Sequence, residues 1–259
     1  MSDWQPDLYM QFKSERTQPS IDLVSKINQV KSKRIIDIGC GPGNSTQILA
    51  QKWPKAKIVG IDSSAAMIEK AQQDYPHQEW QIADAASFES DIKFDIVFSN
   101  AVIQWIPDHK KLLMKFHTLL SDEGVIAIQI PQFWDMPLGE IIKNTANDSR
   151  WKNQTDGVSD LFIIETYSFY YDILSDLFNS IELWETHYIH VLENHSAILE
   201  MIRSTGLKPY LERLTNEADK KAFETTVLEG IKKAYPLQKN GTVLLSFNRL
   251  FFIGRESLK

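Results

Sequence analysis

Three aspartates, each near the carboxyl end of a short apolar run, are the residues of this chain most suited to chemistry. They are Asp37 in Arg34-Ile35-Ile36-Asp37-Ile38, Asp62 after Lys57-Ile58-Val59-Gly60-Ile61, and Asp84 after Trp80-Gln81-Ile82-Ala83. Strands buried on both faces read as such β-branched runs, and ligands of open α/β sheets bind beyond the carboxyl ends of the strands. Directly after the first run, Gly39, Gly41 and Gly43 alternate with Cys40 and Pro42. Glycines there let a backbone approach a nucleotide closely, but the spacing is not the G-x-G-x-x-G of a pyrophosphate site. Pyrophosphate calls for bare N–H groups and a helix dipole; a carboxylate at that point suits a cationic ligand. Asp62 follows Gly43 by 19 residues, close to the roughly 20 at which an acid reaches a nucleotide ribose. Asp62-Ser63-Ser64 also suits the start of a helix, and Asp84 taken alone also suits a turn.

Holding these groups in place requires alternating strands and helices. Helices are predicted from Ser45, from Ala65 to about Gln73, and from Pro107-Asp108 to about Leu120; strands are predicted over 35–38, 57–62, 80–85, 94–101 and 124–130. That order means a parallel, doubly wound sheet. Residues 182–191 and 244–254 alternate as two further strands, read as an antiparallel pair that closes a seven-stranded sheet. Residues 194–236 are mostly helical, with a break at Thr205-Gly206-Leu207-Lys208-Pro209. The chain is thus expected to be a single domain over 1–259, with a ligand-binding core at 30–130 and helical cap insertions at 131–180 and 194–240. At the start, Tyr9, Phe12 and Arg16 share one helical face, and a second helix is expected from Pro19 to about Asn28. That first face either packs on the domain, with Arg16 paired to an acid, or covers the site and offers Arg16 to an anion. Trp105, on a loop after the fourth strand, is either core or a pocket wall.

Composition narrows the class. The 259 residues are 43% hydrophobic and 24% charged, with a net charge of −6. That balance argues against nucleic-acid or membrane-surface binding. A single cysteine, Cys40, excludes an internal disulfide framework and suits a reducing, cytoplasmic compartment. The stretch Met1 to Pro6 has no basic and apolar regions of a secretory signal, so none is expected. No apolar run reaches membrane-spanning length. His187 and His190 would face opposite sides of a strand, and no metal-ligand spacing is seen, so no metal is expected.

Asp37-Ile38-Gly39-Cys40-Gly41-Pro42-Gly43 resembles the first motif of the class I S-adenosylmethionine-dependent methyltransferases, a Rossmann-like fold. The resemblance implies S-adenosyl-L-methionine as cofactor and S-adenosyl-L-homocysteine as product. It implies that Asp37, Gly39 and Gly41 hold the aminoacyl part, Asp62 and Ser63 the ribose, Asp84 and Ala85 the adenine, and that Asn100 sits beside the transferred methyl. A narrower resemblance, to the trans-aconitate methyltransferases, is carried by Ser2-Asp3-Trp4, Tyr9, Glu15-Arg16, Gln104-Trp105, Pro107-Asp108-His109, Tyr171-Asp172-Ile173-Leu174, Thr205-Gly206-Leu207, Tyr235-Pro236-Leu237-Gln238 and Arg249-Leu250-Phe251. Asn248, where that family suggests proline, and residues 140–165 depart from it.

This resemblance implies a small polycarboxylate substrate and no obligatory protein partner. Guanidinium forks suit carboxylates, and the arginines within resembling segments are Arg16, Arg203 and Arg249. Arg16, Tyr9, Trp105 and Arg249 are the expected substrate contacts, although Arg249 also suits an edge-protecting charge. An ionised carboxylate needs no general base, so no catalytic residue is expected beyond those that align and desolvate. Alternatives left open are another acid such as malonyl-acyl carrier protein, a neutral acceptor, and a non-catalytic cofactor-binding module.

Overall fold

The computed structural model describes residues 12–28 and 32–256. Its five parallel strands centre on β1 (Arg34–Ile38), where Ile35, Ile36 and Ile38 are wholly buried. Around it stand β2 (Lys57–Asp62), β3 (Glu79–Ile82), β4 (Phe94–Asn100), β5 (Leu120–Pro131), β6 (Ser180–Leu192) and β7 (Val243–Arg255), in the order β3-β2-β1-β4-β5-β7-β6. The pairs from β3 through β5 are parallel, and β7 runs antiparallel to both β5 and β6. The expected doubly wound seven-stranded sheet with an antiparallel last strand is present.

Strand alternation divides the sheet residues between two layers. Ile36 and Ile38 pack with α4 (His109–Thr118) and α7 (Tyr167–Leu177), through Leu113, Phe116, Tyr170 and Leu174. Ile35, Phe98 and Phe251 pack on the opposite face with α1 (Lys13–Lys26) and α2 (Asn44–Lys52), through Leu23, Val24 and Leu49. Beside β2 and β3 lies α3 (Ala65–Asp74), whose first turn is capped by Ser64 accepting from the Met67 N–H at 3.1 Å.

Three expectations need correction. The break at Pro19 does not occur: α1 runs through it from Lys13 to Lys26. Proline removes a hydrogen bond from a helix interior, and burial of Leu23 and Val24 against the sheet outweighs that local cost. The third strand stops at Ile82, leaving Asp84 in the turn beyond it. The segment 131–180 is not all cap, because α7 lies in the sheet core. Strands β5 and β6 point the same way, and a parallel crossover needs a helix across the face; α7 is that helix.

The cap has a core of its own. Helices α5 (Pro137–Ala146), α6 (Lys152–Thr155), α8 (His195–Arg203), α9 (Lys208–Arg213) and α10 (Glu217–Ala234) converge on Trp151, Tyr210 and Phe223. The Trp151 and Phe223 rings meet edge-on at 5.2 Å. Replacing Trp151, 1% exposed, with Ala should lower stability by about 3–5 kcal/mol. Chemical denaturation checks this; a loss below roughly 1 kcal/mol would mean that the ring does not hold the cap together.

Candidate active site

The site begins where β1 breaks into its glycine turn. The N–H groups of Gly39 and Cys40 both donate to the Ile61 carbonyl, at 2.8 and 3.0 Å, which folds the turn against the end of β2. Gly39 has φ +70°, and a Cβ on it would stand 2.2 Å from the Val102 side chain, which packs on the turn from the loop after β4 only because glycine carries no side chain. Gly41 has φ +54° with nothing within 4 Å of its would-be Cβ. It faces a cavity of about 550 Å³ at the carboxyl ends of the parallel strands.

Asp62 braces this turn from the neighbouring strand. Its Oδ2 accepts from the Gly41 N–H at 2.9 Å and its Oδ1 from the Ser64 N–H at 2.9 Å. Asp62, Ser63, Asp84 and Ala85 all line the cavity, as do Gly39, Gly41 and Asn100. Asp84 is solvent-exposed and takes the Ala86 N–H on Oδ1. Asn100 ends β4, and its buried Oδ1 has no hydrogen-bond partner among the described residues.

Asp37 is placed differently. It does not line the cavity but lies behind the turn, with no exposure, and its Oδ2 accepts from the hydroxyls of Ser45 and Thr46, each at 2.6 Å. Its Oδ1 is buried with no hydrogen-bond partner among the described residues. Burial pushes this carboxyl up to about 6; the two hydroxyl bonds oppose that rise and the charge of Asp62 adds to it.

The opposite wall is cationic and aromatic. Arg16 reaches from α1 to the cap, donating from Nη2 to the Met201 carbonyl and to Ser204 Oγ, each at 3.0 Å. Arg249 is 6% exposed, stands 4.6 Å over the Phe247 ring, and donates from Nη1 to Gln129 Oε1 at 3.2 Å. The edge-protecting role does not apply to Arg249, because β7 is flanked by β5 and β6. Trp105 lies on a one-turn helix, Ile103–Trp105, and its ring packs against Phe162 at 4.1 Å; both line the cavity. Arg203 instead pairs bidentately with Glu224. Tyr9 lies outside the described residues. His187 is exposed and His190 buried, on opposite sides of β6.

Sequence reasoning missed Phe162, Phe133 and Gln129. The two phenylalanines stack at 5.7 Å and come from segments without a periodic pattern. Gln129 was detectable as an amide inside the apolar run Ile126-Ala127-Ile128-Gln129-Ile130, where a polar residue is unusual.

A family profile described as a methyltransferase domain matches residues 29–224. Trans-aconitate 2-methyltransferases of Escherichia coli O157:H7 and Shigella flexneri are each 38% identical to this chain over 257 residues, covering 99% of it and all of theirs. The chain belongs to the trans-aconitate 2-methyltransferase family. It is an S-adenosylmethionine-dependent methyltransferase. Among solved structures, the YcgJ protein of Bacillus subtilis shares the fold with a TM-score of 0.60 at 17% identity, covering 93% of this chain and all of its own. Phosphoethanolamine N-methyltransferase 2 of Haemonchus contortus, solved with S-adenosyl-L-methionine, has a TM-score of 0.59 at 17% identity, covering 97% of this chain and 56% of its own.

The residues present fit that cofactor. The open space before Gly41 is room for a bound group, and the buried Oδ1 atoms of Asp37 and Asn100 are acceptors awaiting donors or positive charge. Gly41→Ala should therefore fold yet bind S-adenosylhomocysteine at least about tenfold more weakly by calorimetry, since the methyl group would project into the cavity at a φ that favours glycine. Wild-type affinity in that variant would remove Gly41 from the site. A cation binds the ionised form of Asp37, so affinity for S-adenosylmethionine should fall as the pH drops through about 6, with protons released on binding near that pH. Titration calorimetry in two buffers from pH 5 to 8 measures this; a pH-independent affinity would mean that Asp37 is not coupled to the ligand. In the ligand-free chain the raised value works the other way: the Asp37 contribution to stability is present below 3.8 and lost as the pH rises through about 6.

Proposed function

We propose that this methyltransferase forms a methyl ester on a carboxylate of trans-aconitate. The observation that carries the reading is the presence of both Arg16 and Arg249 in a cavity whose described lining includes no histidine, lysine, tyrosine or cysteine, and whose carboxylates, Asp62 and Asp84, are engaged by backbone N–H groups. A neutral phenol or amine acceptor would need a base to take its proton, whereas a carboxylate is already ionised at neutral pH. Two guanidiniums at different points of the wall suit a ligand with more than one carboxylate.

When bound, S-adenosylmethionine would supply a methyl group on a sulfonium cation: the carbon–sulfur bond would break as a carboxylate oxygen bonds to that methyl in line, with the neutral thioether S-adenosylhomocysteine as leaving group. Asp62 and Ser63 are placed to accept and donate to ribose hydroxyls, and Asp84 with the Ala85 N–H to recognise the adenine edge. Asp37 supplies the nearest buried negative charge beneath the turn. Arg16 and Arg249 hold the acceptor, while Trp105 and Phe162 exclude water between the two halves. The work left to the protein is alignment and desolvation, which accounts for a site built without a nucleophile–base pair.

The acyl-carrier alternative is not favoured, and the family relationship points to a small molecule. Among the described residues no helix is long and apolar enough to cross a membrane. We infer a cytoplasmic location from the lone, buried cysteine.

Arg16→Ala and Arg249→Ala should each raise the KM for trans-aconitate about 10- to 100-fold, the equivalent of one or two lost charge-assisted hydrogen bonds, with little change in S-adenosylhomocysteine affinity. Steady-state methyl transfer against a panel of trans-aconitate, its cis isomer, citrate and a neutral phenol measures this. Normal turnover by both variants would overturn the substrate assignment.

A further inference from the structure

A second residue behind the wall of the cavity is tied to the anion side of the site. Gln129 lies on β5, is wholly buried, and does not itself line the cavity. In the sheet it is paired with Asn100 on β4 and with Phe251 on β7, while Arg249 pairs with Pro131 two residues on. Asn100 thus stands beside Gln129, with Arg249 diagonally across from it on β7, all on the face whose next row is Phe98, Ala127 and Ile253. A guanidinium has only donors, so the 3.2 Å contact to Arg249 fixes which end of the amide faces it: the oxygen. The amide nitrogen is then turned elsewhere and has no hydrogen-bond partner among the described residues.

We propose that Gln129 is the positioning residue that aims Arg249 into the cavity and tunes the site for carboxylate ligands. The inference rests on the substrate reading above. An amide can orient a guanidinium without neutralising it. A carboxylate in the same place would draw Arg249 into a buried ion pair and away from the ligand, because a buried charge is stable only when paired. An apolar side chain of equal length would leave the guanidinium less well aimed. Gln129 touches neither reacting group; it acts through Arg249.

The test compares Gln129→Met, Gln129→Glu, Arg249→Gln and the double variant Gln129→Met/Arg249→Gln with the wild type. KM and kcat for trans-aconitate are measured at saturating S-adenosylmethionine, with S-adenosylhomocysteine affinity and melting temperature as controls. Gln129→Met should raise KM about fivefold and Gln129→Glu about tenfold or more, kcat changing less than KM and S-adenosylhomocysteine affinity by less than about twofold. The double variant should be no worse than Arg249→Gln, since the two residues act as one unit. Wild-type KM in Arg249→Gln would overturn the substrate reading. A raised KM there, with both Gln129 variants like the wild type, would overturn this inference alone. If both Gln129 variants lose cooperative melting or S-adenosylhomocysteine binding, the residue serves the fold and the assignment falls.

Discussion

A carboxylate with no access to water lies at the heart of this sheet, and much of the site is arranged around its cost. An isolated buried charge is expensive. Asp37 offsets part of that with hydroxyls from the first turn of α2, which explains why Ser45 and Thr46 are buried at a helix start where exposed residues would serve. The remainder is left uncompensated, with Oδ1 unsatisfied among the described residues and the titration displaced upward to about 6. The ionised form is costly there, and a positive ligand above the turn would make it favourable.

The charges around the cavity follow the sheet. The lining acids belong to β2 and the turn after β3, with Asp37 of β1 behind the glycine turn; the arginines come from α1 and β7, at the other side of β4. The end of β4 is the boundary, marked by Asn100 and by Ala101 at φ +57°, a conformation that side chains seldom adopt. Gln104 secures that turn by donating from Nε2 to the Ala101 carbonyl at 2.8 Å. Its own carbonyl accepts from the Ile163 N–H at 2.9 Å, tying the turn to the segment that carries Phe162. The loop after β4 and the cap are consequently one fastened unit.

What was legible in the sequence is what local chemistry writes there. Glycines at 39 and 41, acids at strand ends and β-branched runs announced the glycine turn and the strands around it, because each is required at its own position by backbone geometry or burial. Residues that matter through tertiary partners were less visible. Asp37 read as a pocket residue although the turn covers it, since spacing along the chain cannot reveal depth. Arg249 read equally well as an edge charge, because strand order, unlike strand existence, has no local signature. Pro19 suggested a helix start, and only the packing of Leu23 and Val24 shows why the helix continues through it.

The position of β7 has a further consequence for how the molecule comes into being. It is made after the other six strands but inserted between two of them, pairing Val125 with Arg255 and Ser180 with Arg255 across long stretches of chain. Contacts so distant in sequence form late and slowly. During synthesis the glycine-turn side of the cavity can assemble from β1 to β4 while the opposite wall still lacks the strand that bears Arg249. Until that strand arrives, the inner edge of β5 is an open ladder able to pair with a stranger. The same insertion that completes the cavity wall thus also closes an open edge of the nascent sheet.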